Sequence, residues 1–211
     1  MTTIDLYTFS TPNGYKASIM LEEVGLDYDV HKIDITKDDQ FASDFLKISP
    51  NNKIPAIVDR DNGLALMESG AILIYLARKT GRFLVPDGEP YWRCMEWLMW
   101  QMGGFGPMLG QAHHFYQFNP DVSDYAKNRY TGEAKRLYGV LDKRLGEAGY
   151  LAGDYSIADI ATFPWAARHP WQNIDLNDFP NVLRWYNEIA DRPAVQKGVL
   201  VPNPDYVLPR P

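Results

Sequence analysis

KIPAIVDRDNGLALMESGAILIYLARK, residues 53–79, runs two strand-like segments, a turn and an apolar helix together without a break. The segments IPAIVD (54–59) and LALME (64–68) are dominated by aliphatic residues, and Asn62-Gly63 between them is the dipeptide favoured where a hairpin needs positive φ. Ser69 suits an N-cap for GAILIYLARK (70–79), whose apolar residues recur at helical spacing. The stretch therefore predicts a β-hairpin feeding a helix.

Toward the amino terminus, TIDLYTF (3–9) has strand composition, and residues 15–25 place Ile19, Met20 and Val24 at helical spacing. A Tyr/Val/Ile-rich segment at 28–35 reads as a second strand and 38–47 as a second helix. The order over residues 1–80 is thus β-α-β-α-β-β-α, an α/β domain. Toward the carboxyl terminus, TGRFLVPDGEP (80–90) interrupts the pattern with Gly and Pro, and beyond it strand signals give way to long helical periodicities. Helices are predicted at about 89–118, 124–147, 156–167 and 179–191, so residues 89–211 form an all-α domain. Ser156-Ile-Ala-Asp159 has capping-box spacing, with Asp in place of Glu or Gln. The tail VPNPDYVLPRP (201–211) holds four prolines, which exclude it from helix and central strand and place it along the surface.

Composition narrows the function classes. With 27 acidic and 21 basic residues and a formal charge of -6, the 211-residue chain has no basic footprint for nucleic acid or anionic membrane. No apolar run approaches the roughly 20 residues needed to span a bilayer, and MTTIDLYTF does not read as a signal peptide, so a cytoplasmic location is expected. Cys94 is the only cysteine, which excludes an internal disulfide. It lies in the apolar helix YWRCMEWLMW (91–100) and reads as a buried structural thiol. His113 and His114 are neighbours that diverge by about 100° on a helix and make a poor metal pair, so no metal is expected.

FSTPNGYK (9–16) sits where a strand ends and a helix begins, a position whose unpaired amides and helix dipole favour an anion. Thr11 before Pro12 reads as an N-cap with Pro at the first helical position, Asn13 offers an amide, and Gly14 would let a ligand approach the backbone. Glu68-Ser69 joins a carboxylate to a helix start, which suits a ligand bearing both an ammonium and a carboxylate. Taken singly, Ser69 reads as a cap and Lys53 as a solvated charge.

Taken together, Lys53-Ile54-Pro55, Glu68-Ser69, the Ser156–Asp159 box and the domain order make the chain resemble the cytosolic glutathione transferases. TPNGYK, SPNNKIPAI and GGFGPMLGQAHHF (103–115) are similar, within that family, to the bacterial nu-class glutathione-dependent disulfide-bond oxidoreductases. The resemblance implies a thioredoxin-like, glutathione-binding amino-terminal domain (1–80) followed by the helical domain (89–211). It also implies a cis Ile54-Pro55 bond, Thr11 and Asn13 around the glutathione sulfur, and Gln40, Lys53, Ile54, Glu68 and Ser69 holding the tripeptide. Arg136 would reach in from the neighbouring subunit of a homodimer. Glutathione is then a substrate rather than a resident cofactor, and the second substrate is a small disulfide or an electrophile. Because a thioredoxin-like redox protein would carry its attacking cysteine where Thr11 stands, the reacting sulfurs would all come from substrates, and thiol-disulfide exchange is the expected reaction. Conjugation to electrophiles, reduction of organic hydroperoxides and a non-catalytic glutathione-binding regulatory role are the alternatives. Tyr7, near the position from which many transferases activate glutathione, is expected to be a packed aromatic and not a catalytic group.

Overall fold

The computed structural model describes residues 3–210. Its contacts divide the chain into two units, one formed by residues 1–86 with 191–207 and the other by residues 87–190 with 208–211.

The first unit is built on a four-stranded sheet of β1 (Ile4–Thr8), β2 (Tyr28–Lys32), β3 (Ala56–Asp59) and β4 (Leu64–Met67), in the order β2-β1-β3-β4. β1 runs parallel to β2 and antiparallel to β3, which closes the expected hairpin with β4. Period-two alternation turns Ile4, Leu6 and Thr8 of β1 into the core while Asp5 and Tyr7 take the other face. The helices are α1 (Pro12–Val24), α2 (Ser43–Ile48) and α3 (Ser69–Thr80), so the predicted β-α-β-α-β-β-α order is the observed one. α1 is buried along most of its length because α3 packs on one side and α9 (Pro193–Gly198) on another. Its end is set by Gly25 at φ 71°, whose amide returns to the Leu21 carbonyl.

The return of residues 191–207 to the first unit was not expected from the sequence, which assigned all of 89–211 to the helical domain. Its physical basis is local. The Ser18 hydroxyl donates to the Gly198 carbonyl at 2.7 Å, and Arg192 grips the buried Glu23 carboxylate through Nε and Nη2 at 2.6 and 2.8 Å. A Cβ on Gly198 would lie 2.6 Å from the Ile19 Cα, so only glycine permits this approach.

The second unit is mostly helical. α4 (Gly88–Trp100), a π-helical segment (Gln101–Phe105), α5 (Gly106–Ala112) and a second π-helical segment (His113–Phe118) make one helical run over the predicted 89–118. α6 (Asp124–Glu147), α7 (Ile157–Ala166) and α8 (Pro180–Ala190) follow. α7 is buried at every position but Trp165, as an all-round apolar helix must be. Its capping box forms as predicted, and Asp159 also accepts from the Leu151 amide at 3.0 Å and the Trp185 indole at 2.9 Å. Cys94 is buried beside this cap, and desolvation pushes its thiol up.

Candidate active site

Register brings three separate pieces of sequence to one edge of the sheet. Tyr7 pairs with Ala56, and Ala56 with Met67, so the end of β1, the Ile54-Pro55 step before β3 and the Glu68-Ser69 step after β4 lie side by side. The loop carrying Gln40 leaves from the same edge, since Lys32 at the end of β2 pairs with Thr8.

At the head of α1, Thr11 is the N-cap and Pro12 occupies the first turn, as the sequence predicts. The Thr11 hydroxyl oxygen accepts from the Gly14 amide at 3.2 Å. That bond uses a lone pair and leaves the hydroxyl proton available for donation, which is what a thiolate needs beside it. Asn13 stands half-buried in the same turn. Gly14 has a different role from the expected one. A Cβ there would meet the Phe9 carbonyl oxygen at 2.2 Å and the Thr8 hydroxyl at 2.6 Å, so this glycine lets α1 pack against the end of β1, not a ligand against the backbone.

The Ile54-Pro55 bond is cis. Ile54 itself stands outside the ladder, which begins at Ala56, and the Lys53 carbonyl accepts from the Ser49 hydroxyl at 2.8 Å. The Lys53 side chain is exposed. At the next step the expected cap is shifted by one residue. Glu68, not Ser69, is the N-cap of α3, at φ 71° and ψ 114°, and its side chain makes no capping bond. Ser69 is the first helical residue and is buried. The left-handed turn at a non-glycine residue costs on the order of 1–3 kcal/mol, and such conformations concentrate at ligand-binding sites. Here it leaves the Glu68 carboxylate exposed while the first turn of α3 has no side-chain cap.

Gln40 is half-buried, with its amide 3.4 Å from the Asp38 carboxylate and its carbonyl oxygen buried without a partner among the described residues. Arg136 belongs to a different unit from the residues above. It lies on α6 in the second unit, with its guanidinium held by Glu133 at 2.8 and 2.7 Å.

Tyr7 stacks on His31 at 4.6 Å between ring centroids, near Phe45, and burial pushes its phenol up. The ring contacts with His31 and Phe45 are those of a packed aromatic. His113 and His114 diverge as expected: His113 is buried against Trp165 and accepts from the Gln172 side-chain amide at 3.0 Å, whereas His114 is exposed. Sequence reasoning missed Lys16. Its side chain is 1% exposed, and its ammonium lies 3.4 Å from the Ser69 hydroxyl. A lysine inside the otherwise uncharged run 14–21 of α1 was the available signal.

The glutathione S-transferase amino-terminal domain family matches residues 2–78, and the glutathione S-transferase carboxy-terminal domain family matches residues 105–193. A protein of Escherichia coli K12 named disulfide-bond oxidoreductase YfcG is 51% identical over 203 residues, covering 93% of this chain and 94% of its own. Disulfide-bond oxidoreductase YghU of the same organism is 42% identical over 94% of this chain and 74% of its own. A crystal structure of a glutathione transferase from Pseudomonas putida, with one glutathione disulfide bound per subunit, superposes with a TM-score of 0.91 at 45% identity over 96% of this chain and 93% of its own. One from Burkholderia graminis, with two glutathione molecules per subunit, gives 0.89 at 44% identity over 96% and 89%. With a thioredoxin-like sheet carrying a cis-proline beside a helix-capping threonine, a helical second unit, and family matches to both, the chain belongs to the glutathione transferase family.

Proposed function

We propose that the protein is a glutathione-dependent disulfide-bond oxidoreductase of the nu class. The observation that carries this reading is the head of α1, where a threonine caps the helix through a lone pair and keeps its proton to donate, while the chain's one cysteine is buried in the other unit. The protein supplies a thiolate site and no thiol.

Glutathione would bind with its sulfur beside Thr11 and Asn13, where the helix dipole and the hydroxyl favour the thiolate. Its γ-glutamyl ammonium would meet the exposed Glu68 carboxylate, and the adjoining carboxylate would meet Ser69 and the first amides of α3. Ile54, whose backbone stands outside the ladder, would pair with the cysteinyl part, with Gln40 and Lys53 adding polar contacts. The thiolate attacks one sulfur of a small disulfide, the S–S bond breaks, and the second sulfur leaves as a thiolate that takes a proton from solvent. A second glutathione thiolate attacks the resulting mixed disulfide, giving glutathione disulfide and the second free thiol. The relatives with two glutathiones or one glutathione disulfide bound carry the two thiols and the product of that last step. A homodimer with Arg136 contributed across its interface completes the reading.

The test is a side-by-side assay of glutathione-driven reduction of 2-hydroxyethyl disulfide, conjugation to chlorodinitrobenzene and reduction of cumene hydroperoxide. Disulfide reduction should dominate. Dominant conjugation or peroxidase activity would overturn the proposal, and binding to immobilised glutathione with no turnover would assign the regulatory role instead.

A further inference from the structure

Lys16 is an ionisable side chain in the core of the first unit. Its stem lies along α1 among buried residues, and its ammonium ends at the Ser69 hydroxyl, beneath the uncapped head of α3. Burial opposes its charge and the Glu68 carboxylate favours it, leaving the amine at about 7. Of the charged groups on the elements around α1, Asp5 of β1 pairs with Arg60 and His31, Lys79 of α3 with Asp59, and Arg192 before α9 with Glu23. An amine buried 3.4 Å from the Ser69 hydroxyl is placed to serve as a counter-charge that forms when an anion arrives above it.

We propose that Lys16 is a positioning residue that takes up a proton from solvent when the ligand's γ-glutamyl carboxylate docks at the head of α3, and so couples glutathione affinity to pH. This rests on the reading that Glu68 and Ser69 hold the γ-glutamyl end. An anion near Ser69 favours the ammonium, so the bound state holds the proton to a higher pH than the free state. Affinity is therefore full below neutrality and weakens as pH rises through it. With one linked proton, the loss between pH 6 and pH 8 is about tenfold.

The probe is S-methylglutathione, which has no ionisable thiol, titrated calorimetrically against the wild type, Lys16→Met and Lys16→Arg at pH 6 and pH 8. The wild type should lose about tenfold more affinity over that range than Lys16→Met, whose residual slope reports the ligand's own amine. Lys16→Arg, with a permanent charge, should bind at pH 8 as the wild type does at pH 6. Equal slopes in the wild type and Lys16→Met overturn the proposal while leaving the glutathione site intact. Should either variant fail to fold, wild-type titrations at pH 7.5 in two buffers of different ionisation enthalpy give the proton count directly. Uptake of a substantial fraction of one proton supports the proposal and zero uptake overturns it. Failure of the wild type to bind S-methylglutathione at either pH would overturn the glutathione reading itself.

Discussion

The Thr11 hydroxyl caps α1, and the proposed function gives it a second job at the substrate sulfur, so one replacement should register in both stability and kinetics. Thr11→Ala removes both the cap bond to Gly14 and the proton offered to the substrate sulfur, while Thr11→Ser keeps both. The alanine variant should lose about 1 kcal/mol of stability for the cap and at least about tenfold in kcat for the missing donor, with glutathione affinity nearly unchanged; steady-state kinetics against denaturant titration separates the two. Asn13→Ala should follow the same kinetic pattern. Equal loss in kcat and affinity would make these residues binders only. Gly14 belongs to a different category. Gly14→Ala would drive a Cβ into the Phe9 carbonyl oxygen, and a backbone clash of that depth should cost about 3 kcal/mol or more, read as a shifted denaturation midpoint. Both residues were visible in FSTPNGYK, but only the Thr11-Pro12 cap could be understood there. The reason for Gly14 lies in how closely β1 and α1 approach, which no local pattern encodes.

At the scale of elements, the strongest local signals gave the most accurate boundaries. Asn62-Gly63 placed the β3–β4 hairpin, and the Ser156–Asp159 box placed the start of α7. Capping elsewhere was harder to read. Glu68 takes the N-cap position expected of Ser69 because β4 delivers the chain to α3 through a left-handed turn, a geometry set by the sheet and not by cap preference. α8 is capped from a distance, by Asp142 of α6 accepting from the Asn181 and Val182 amides, a partner 39 residues away for Asn181. Asp159 carries more than its box, since the Leu151 amide and the Trp185 indole also end on it. Asp159→Asn should therefore cost about 2–4 kcal/mol, by turning an acceptor-only group into one with donors facing donors. His113, which accepts from Gln172, adds a pH dependence of its own. Burial holds it at about 4, below its unfolded value of 6.5, so the unfolded chain binds a proton first and stability falls as pH drops from 6.5 toward 4. The contribution lost is about 3 kcal/mol, and His113→Gln should flatten that limb of the pH–stability curve.

At the scale of the whole molecule, the proposed homodimer should sediment at twice the 24.1 kDa chain mass at micromolar concentration. A monomer would remove Arg136 from the reaction. The division of the chain was legible in outline, because TGRFLVPDGEP marks the place where strand patterns stop. The destination of residues 191–207 was not, because Ser18, Glu23 and Gly198 acquire meaning only as partners across some 170 to 180 residues. Gly198→Ala, which would press a Cβ into the Ile19 backbone, should destabilise the first unit by about 3 kcal/mol or more, and deletion of residues 191–211 should leave that unit unable to unfold cooperatively.

The first unit is thus closed by a stretch of chain that follows the whole of residues 87–190. Domains commonly fold in order from the amino terminus as they leave the ribosome, but here α1 must wait for α9. A chain arrested anywhere before residue 191 would display Thr11, Ile54 and Glu68 on an unfinished scaffold, so activity should emerge only once residues 191–207 have left the ribosome.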